Sequence, residues 1–179
     1  MKAKILQGRL CRLRPYRLTD APALQALADD FLVARWMTSR FPHPYTQRDA
    51  EEWVARAVGG TRGHNVGIEV DGHLAGGAGI EPCDGEQRGV GVFGYWLGRA
   101  YWGRGIATDA ARTLADYALA AGGLHRLEAT VFVQNVASAR VLEKAGFTRE
   151  GTLRARYVDR DGALCDALIY ARLAALNPP

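Results

Sequence analysis

The stretch with the clearest chemical pattern in this sequence is a glycine-rich turn between a predicted strand and a predicted helix. It consists of Trp102, Gly103, Arg104, Gly105, Ile106, Ala107 and Thr108. Glycines let the main chain approach an oxyanion closely, and the N–H groups and dipole at the start of a helix attract negative charge. Arg104 and Thr108 add side-chain donors. The pattern is typical of a phosphate-binding loop, although a tight turn that simply enters a helix would share it.

The spacing of the glycines does not fit two common nucleotide-binding motifs. A dinucleotide fingerprint needs a small residue where this chain has Thr108, and the P-loop sequence G-x-x-x-x-G-K-[ST] occurs nowhere. The turn instead resembles the pyrophosphate loop of the GNAT superfamily of N-acetyltransferases, [QR]-x-x-G-x-[GA]. The departure is Trp102, which stands where Gln or Arg is usual, at a position expected to contribute mainly backbone.

Other segments resemble the same superfamily, in particular the branch that includes the ribosomal-protein N-terminal alanine acetyltransferases. Residues 135–147 look like its second coenzyme A segment, and residues 93–97 are similar to the strand that precedes the loop. Residues 44–53 and the tail from 150 to 170 also match that branch. These matches keep the expected order from about Arg9 to Leu173.

The resemblance implies direct transfer of an acetyl group from acetyl-CoA to a primary amine. It implies that the predicted strand ending at Arg99 pairs with the pantetheine arm, and that an N–H group near Leu97 faces the thioester oxygen. It also implies that Arg140 reaches the nucleotide phosphates. The candidate coenzyme A ligands are Tyr95, Trp96, Leu97, Gly98, Arg99, Trp102, Gly103, Arg104, Gly105, Ile106, Ala107, Thr108, Asn135, Ser138 and Arg140.

The candidate catalytic residues are Ser138, Glu81 and Tyr157. Many relatives place a tyrosine acid where this chain has Leu142, and the resemblance to the ribosomal-type branch assigns proton donation to Ser138. That branch can carry a glutamate at the position of Tyr157, so this carboxylate is missing. Glu69, Glu81 and Glu128 are possible substitutes for this base. Glu81, which ends a predicted strand, is preferred, and a water chain is the alternative.

An aromatic segment lies where the superfamily builds its acceptor groove. Pro42 and Pro44 prevent it from forming one regular helix. The segment contains no carboxylate from Phe31 to Tyr45, which disfavours a polycationic acceptor. The candidate acceptor-binding residues are Phe31, Trp36, Phe41 and Tyr45.

The acceptor predicted from this resemblance is the α-amine of a protein or peptide N-terminus. The alternatives are a small amine, such as an amino acid, polyamine or aminoglycoside, and an acyl-CoA-binding sensor that has lost catalysis. The replacement of two expected acid–base residues, by Leu142 and Tyr157, leaves room for the sensor.

The elements that must position these residues alternate between strands and helices, in the order β-α-α-β-β-β-α-β-α-β-β. This order predicts an α/β protein with helices on both faces of one sheet. The resemblance specifies a GNAT fold, in which about four helices flank a mixed, mostly antiparallel twisted sheet of about 6–7 strands. Hairpin turns are predicted at Asp71-Gly72 and Asp161-Gly162.

Length and composition predict a single globular domain over residues 1–179. No apolar run approaches the roughly 20 residues that span a bilayer, and no signal peptide is evident, so we expect a cytoplasmic protein without a membrane partner. The net charge of +4 is carried almost entirely by arginine. It suits a polyphosphate ligand, and no motif suggests DNA. A homodimer is compatible with this interpretation. Three widely spaced cysteines predict neither disulfides nor a metal site.

Overall fold

The computed structural model describes residues 4–60, 63–121 and 123–175. The strands are β1 (Leu6–Gln7), β2 (Arg12–Arg14), β3 (His64–Val70), β4 (His73–Pro82), β5 (Val90–Leu97), β6 (Arg126–Phe132), β7 (Thr148–Val158) and β8 (Leu164–Leu173). The helices are α1 (Ala21–Ala28), α2 (Phe31–Ala34), α3 (Gln47–Val58), α4 (Ile106–Ala121) and α5 (Val136–Lys144). Within these described ranges, no helix combines the length and the apolar character needed to cross a bilayer.

The strands form one sheet in the order β1-β2-β3-β4-β5-β6-β8-β7. Neighbouring strands are antiparallel except β5 and β6, which are parallel, so the mixed and mostly antiparallel sheet is confirmed. The described chain has eight strands rather than six or seven, because a turn in which Gly8 N–H donates to the Cys11 carbonyl separates β1 from β2. It has a fifth, short helix because Asp30 caps α2 by accepting from the Leu32 N–H.

The two parallel strands are paired only where they begin. Val90, Gly91 and Val92 of β5 lie opposite residues 126–128 of β6. Farther along, β5 continues to pair with β4 as far as Leu97, and β6 continues to pair with β8 as far as Phe132. Within the described chain, the β6-facing edge of β5 therefore has no strand partner over residues 93–97. This opening between β5 and β6 is called the gap below.

Side-chain alternation along β5 connects the sheet to two cores. Phe93 and Leu97 are buried with residues of α4, including Leu114. Trp96 points to the opposite face, where it packs against a cluster that includes Leu24 of α1 and residues of α3. Helices therefore cover both faces of the sheet, as the element order predicted.

Both predicted hairpin turns are confirmed. Asp71 and Gly72, with φ angles of 49° and 80°, connect β3 to β4. Gly162, with a φ of 84°, lies in the turn that connects β7 to β8. A left-handed backbone at these positions favours Gly and Asp, which explains why the dipeptides were a reliable local signal.

Candidate active site

The glycine-rich turn lies at the N-terminus of α4. Gly103 and Gly105 have φ angles of 70° and 78°, which favour glycine over any residue with a side chain. Both are exposed, and a Cβ built on Gly103 would meet nothing within 4 Å. Ile106 is buried and anchors the start of the helix. Since the first N–H groups of an α-helix lack an intrahelical acceptor, this turn suits a ligand with phosphate groups.

The indole of Trp102 is hydrogen-bonded to the end of β5, the strand that leads into this turn. Its Nε1–H donates to the Leu97 carbonyl at 2.8 Å, a side-chain role that the sequence did not indicate. The Gly98 N–H donates to the Ala75 carbonyl of β4. Because successive peptide groups of a strand alternate between its two edges, the N–H of Leu97 points to the opposite edge, into the gap.

A hydrogen bond joins β5 to the first turn of α5. The Tyr95 hydroxyl lies 2.9 Å from Ser138 Oγ, and the Ser138 N–H donates to Oδ1 of Asn135, the N-cap of α5. Burial raises the pKa of Tyr95 to about 12, against a smaller lowering effect of the bond to Ser138. The phenol therefore stays protonated at neutral pH and can donate to Ser138 Oγ, which leaves the serine proton free for another acceptor.

A cavity of about 100 Å³ opens beside the end of β6. Val131 is buried in the core beneath α4, so its neighbour Phe132 points to the other face of the sheet. The Phe132 ring lies 6.0 Å from that of Trp36 and 4.9 Å from that of Tyr157. The cavity lining comprises Phe31, Arg35, Trp36, Phe132, Gln134, Asp159, Arg160, Asp161 and Cys165.

The structure divides the four predicted acceptor-binding residues into two groups. Phe31 and Trp36 line the cavity. Phe41 and Tyr45 pack into the second core instead, with the Phe41 ring 4.9 Å from that of Tyr45 and 5.5 Å from that of Trp96. Tyr45 is only 5% exposed. Its main chain is also bound to α1 and the residue after it, because its N–H donates to the Asp29 carboxylate and its carbonyl accepts from the Gln25 side chain.

Two predicted catalytic residues lie away from the Ser138 hydroxyl. Glu81 is exposed and pairs with Val92, where β5 and β6 are still joined. Along the strand this is three residues, or roughly 10 Å, from the register of Tyr95, so the structure does not bring Glu81 into the gap. The Tyr157 hydroxyl is hydrogen-bonded to Thr130 Oγ1 on the face that holds the cavity.

Two predicted coenzyme A ligands make contacts within the protein. The Arg99 guanidinium pairs with the Asp30 carboxylate at 3.0 Å and so connects the end of β5 to α2. Arg104 is exposed, and its guanidinium lies 5.9 Å from the centre of the Tyr101 ring. Arg140 is exposed on α5.

The cavity contains carboxylates, although the sequence segment expected to bind the acceptor, from Phe31 to Tyr45, contains none. Asp159 and Asp161 belong to the β7–β8 turn. Hydrogen bonds from backbone N–H groups, foremost that of Ala163, lower the pKa of Asp159. The sequence indicated only a turn at Asp161-Gly162. That this turn lies beside α2 follows from the strand order, for which no local pattern exists.

Comparison with known proteins identifies the family to which this chain belongs. Residues 10–148 match the family model described as Acetyltransferase (GNAT) domain. The chain therefore belongs to the GNAT acetyltransferase family, and its class is that of the N-acetyltransferases. The resemblance inferred from the motifs is confirmed.

Three similar proteins illustrate this relationship. YjcK of Bacillus subtilis (strain 168) is 47% identical over 85 residues, which are 48% of this chain and 45% of YjcK, so the chain spans under half of that relative. The structure of Mycobacterium smegmatis RimJ in complex with CoA-disulfide is 32% identical, with a TM-score of 0.81 over 99% of this chain and 89% of that one. RimL, a ribosomal L7/L12 α-N-protein acetyltransferase in complex with coenzyme A, has a TM-score of 0.81 over 95% of this chain and 98% of its own. At 20% identity, RimL shows the shared fold alone.

Proposed function

We propose that this protein transfers the acetyl group of acetyl-CoA directly to a primary amine, and that the acceptor is the α-amine of a protein or peptide N-terminus. The observation that carries the proposal is the arrangement around the gap. The Tyr95–Ser138 pair lies on the α4 and α5 face, and the aromatic cavity beside Phe132 lies on the other. A thioester in the gap would be accessible to an amine from the cavity, which suits one-step transfer between two bound substrates.

The donor half of the site fits acetyl-CoA. The glycine-rich turn offers N–H groups and the positive end of the α4 dipole to a pyrophosphate. The unpaired edge of β5 over residues 93–97 offers peptide groups to the amides of a pantetheine arm. The Leu97 N–H would face the thioester oxygen, where one such donor contributes about 10²–10³ in rate. The CoA compound bound in the related RimJ structure supports this donor.

The leaving sulfur needs a proton, and Ser138 is the group proposed to supply it. The two hydroxyl oxygens lie 2.9 Å apart. In the proposed arrangement the Tyr95 O–H donates to Ser138 Oγ, so that the serine O–H is directed away from the phenol. Its place in the first turn of α5 is fixed by the N-cap Asn135. In the proposed step the amine nitrogen bonds to the acetyl carbon, the carbon–sulfur bond breaks, and the thiolate takes the serine proton. The proton that the nitrogen releases as it becomes an amide returns through water to Ser138 Oγ, which restores the hydroxyl.

The attacking amine must first lose a proton, and the geometry of the acceptor side favours an α-amine. Glu81 lies at the closed end of the gap, and the Tyr157 hydroxyl is engaged by Thr130. Water is therefore the proposed proton carrier. An α-amine has a pKa of about 7.7–8.0, so roughly a tenth of it is neutral at pH 7, whereas fewer than one ε-amine in about a thousand is neutral.

A pair of peptides tests the acceptor. One carries a free N-terminal α-amine and no lysine, and the other is blocked at its N-terminus and carries one lysine. Thioester cleavage and the mass of the product are measured at equal peptide concentrations. We expect the first peptide to react faster. Faster reaction of the blocked peptide would overturn the α-amine assignment, and acetyl-CoA binding without turnover of any amine would identify a sensor.

A small cationic amine is the second candidate, and the cavity lining supports it. Asp159 and Asp161 line the cavity together with Phe132, and carboxylates and ring faces both attract an ammonium. The Trp36 ring already carries the Arg35 guanidinium, 4.7 Å from its centre, so the carboxylates are the groups that would bind the amine. Polyamines and aminoglycosides in the same assay distinguish the two candidates. A kcat/KM for one of them above that of the α-amine peptide would favour this second function.

A further inference from the structure

The side chain of Arg160 connects the β7–β8 turn to the segment that follows α2. Its Nε–H donates to the Ala34 carbonyl at 2.8 Å, and its Nη2–H donates to the Phe41 carbonyl at 2.6 Å. One guanidinium therefore binds the main chain near both ends of residues 34–41. These partners are 126 and 119 positions from Arg160 in the sequence, and the bonds cross from one wall of the cavity to the other.

The segment held in this way carries the aromatic wall of the cavity. Trp36 lies two residues after Ala34, and its ring contacts Phe132 at the end of β6. The segment itself is a series of turns, in which the Met37 N–H donates to Ala34 and the Phe41 N–H to Thr38. Because such turns have little stiffness of their own, the position of Trp36 depends on what holds the two ends.

The turn from which Arg160 projects is well ordered by its own hydrogen bonds. Oδ1 of Asp159 accepts from the N–H groups of Asp161 and Ala163, at 3.0 and 2.8 Å. Oδ2 of Asp159 accepts from the Cys165 thiol at 3.6 Å. The Asp159 N–H also donates to the Ala163 carbonyl. The backbone from which the Arg160 side chain projects is therefore held in place by these hydrogen bonds.

An ion pair holds the beginning of α2 from the donor side of the site. Arg99, just after β5, binds the Asp30 carboxylate, which also caps α2. The chain from Asp30 to Phe41 is thus attached at its start to the strand that faces the donor and at its end to the β7–β8 turn. This places the cavity wall under two independent restraints.

We propose that Arg160 is a positioning residue for the amine acceptor: it fixes the segment that bears Trp36 and keeps the cavity formed before the acceptor binds. This inference rests on the proposed acetyltransferase function of the site. A preformed cavity spares the acceptor the entropy of ordering the segment, so the effect appears in acceptor affinity rather than in the chemical step.

The chemistry of the contact requires arginine in particular. A guanidinium has several N–H donors in a planar fork, so it can bind two carbonyl oxygens at once in fixed directions. Within the described chain Arg160 forms no ion pair, although Asp159 and Asp161 are its neighbours in sequence. A lysine at this position would keep the charge but could not hold both carbonyls in this geometry.

The test compares Arg160→Met and Arg160→Lys with the wild type and with Arg154→Met. Arg154 is an exposed arginine on β7 that makes no ion pair within the described residues, which makes it a matched control. Steady-state kinetics with the α-amine peptide give KM and kcat, and calorimetry gives the Kd of acetyl-CoA. Hydrogen exchange of residues 35–41, in the protein without ligands, reports directly on the segment.

We expect both Arg160 variants to raise the KM of the acceptor about 10-fold, with kcat and the Kd of acetyl-CoA within about twofold of wild type. Exchange of residues 35–41 accelerates in both, and Arg154→Met changes neither quantity. Wild-type exchange and KM in a folded Arg160→Lys would overturn the proposal, as would a loss confined to kcat. If the wild type acetylates no amine, the proposed function fails, while the exchange data still decide whether Arg160 holds the segment.

Discussion

The Tyr95 hydroxyl lies 2.9 Å from Ser138 Oγ, so a side chain of β5 is bonded to the first turn of α5 beyond the point where β5 and β6 separate. The bond gives Ser138 a fixed orientation at the gap. Under the proposed function, Tyr95 therefore has a second role besides belonging to the strand that is expected to pair with the donor. The two residues should therefore behave as one unit in catalysis.

Removal of the serine hydroxyl should slow the chemical step. We expect Ser138→Ala to lower kcat by roughly 10- to 10³-fold, as for the loss of one acid–base contact, with the Kd of acetyl-CoA nearly unchanged. Pre-steady-state and steady-state thioester cleavage measure the effect. A kcat within about twofold of wild type would reduce Ser138 to a residue of the helix start.

Removal of the Tyr95 hydroxyl should lower kcat by less than the loss of Ser138 does, because Tyr95 acts only through its hydrogen bond to Ser138. Tyr95→Phe deletes one hydrogen bond, which contributes about 0.5–1.5 kcal/mol, so kcat should fall roughly 2- to 12-fold. In the double variant with Ser138→Ala, the loss from Tyr95→Phe should disappear, because its partner is already absent. Fully additive effects would show that the two residues act separately. Tyr101→Phe, which removes a phenol hydroxyl immediately before the glycine-rich turn, is the control.

A negative charge in the glycine-rich turn should weaken acetyl-CoA binding. Gly105 has a φ of 78°, so any side chain there is strained, and a matched pair of variants separates strain from charge. We expect Gly105→Glu to raise the Kd by at least about 10-fold more than Gly105→Gln, since only the former repels the pyrophosphate. Calorimetry on folded variants decides. Equal values for the two would show that the pyrophosphate does not bind at this turn.

The pH dependence of kcat/KM should follow the acceptor amine. We expect kcat/KM for an α-amine peptide to rise with pH along one limb near the amine pKa of about 7.7–8.0. Tyr95 stays protonated over this range because burial raises its pKa to about 12. Glu81→Gln should leave the limb in place, since Glu81 lies where β5 and β6 are still paired. A limb that flattens in Glu81→Gln would instead assign the proton relay to Glu81.

The buried arginine Arg14 should stabilise the fold in a pH-dependent way. It is 3% exposed and binds the Asp20 carboxylate through two N–H groups at 2.7 and 2.9 Å, and also Glu69. Burial alone would raise the pKa of Asp20, but the bonds from Arg14 outweigh it and leave that pKa lowered. We expect Arg14→Met to lower the free energy of unfolding by about 3–5 kcal/mol at pH 7, because the buried Asp20 carboxylate loses both guanidinium hydrogen bonds and Glu69 keeps only those of Arg12.

The sign of this effect with pH follows from the lowered pKa. The stabilisation from Asp20 is present above its unfolded pKa of about 3.9 and is lost as the pH falls through the folded value. The difference between wild type and Arg14→Met should therefore shrink below about pH 4. Urea unfolding at several pH values measures it, and Arg48→Met, which removes an exposed pair with Glu52, should leave the stability close to that of wild type throughout. A constant difference would show that Arg14 acts through packing alone.

Local patterns in the sequence determined the parts of this protein whose geometry depends on neighbouring residues. The turns at Asp71-Gly72 and Asp161-Gly162 and the glycine-rich turn all use positive φ angles, which Gly and Asp tolerate. The N-cap bond of Asn135 is likewise local, since its side chain accepts from the N–H of Ser138, three positions along the chain. The resemblance to the GNAT family also rested on such motifs, because a glycine-rich turn at a helix start is built from consecutive residues.

Only the tertiary structure decided which residues share the cavity beside Phe132. The sequence grouped Phe31, Trp36, Phe41 and Tyr45 by proximity in the chain, whereas the fold packs the last two into the second core and completes the cavity from the β7–β8 turn. The strand order β6-β8-β7 brings Arg160 within hydrogen-bonding distance of Ala34, over 126 positions of chain. Such a contact leaves no trace in local composition or periodicity, because it depends on how the strands pair and not on the conformation of either segment.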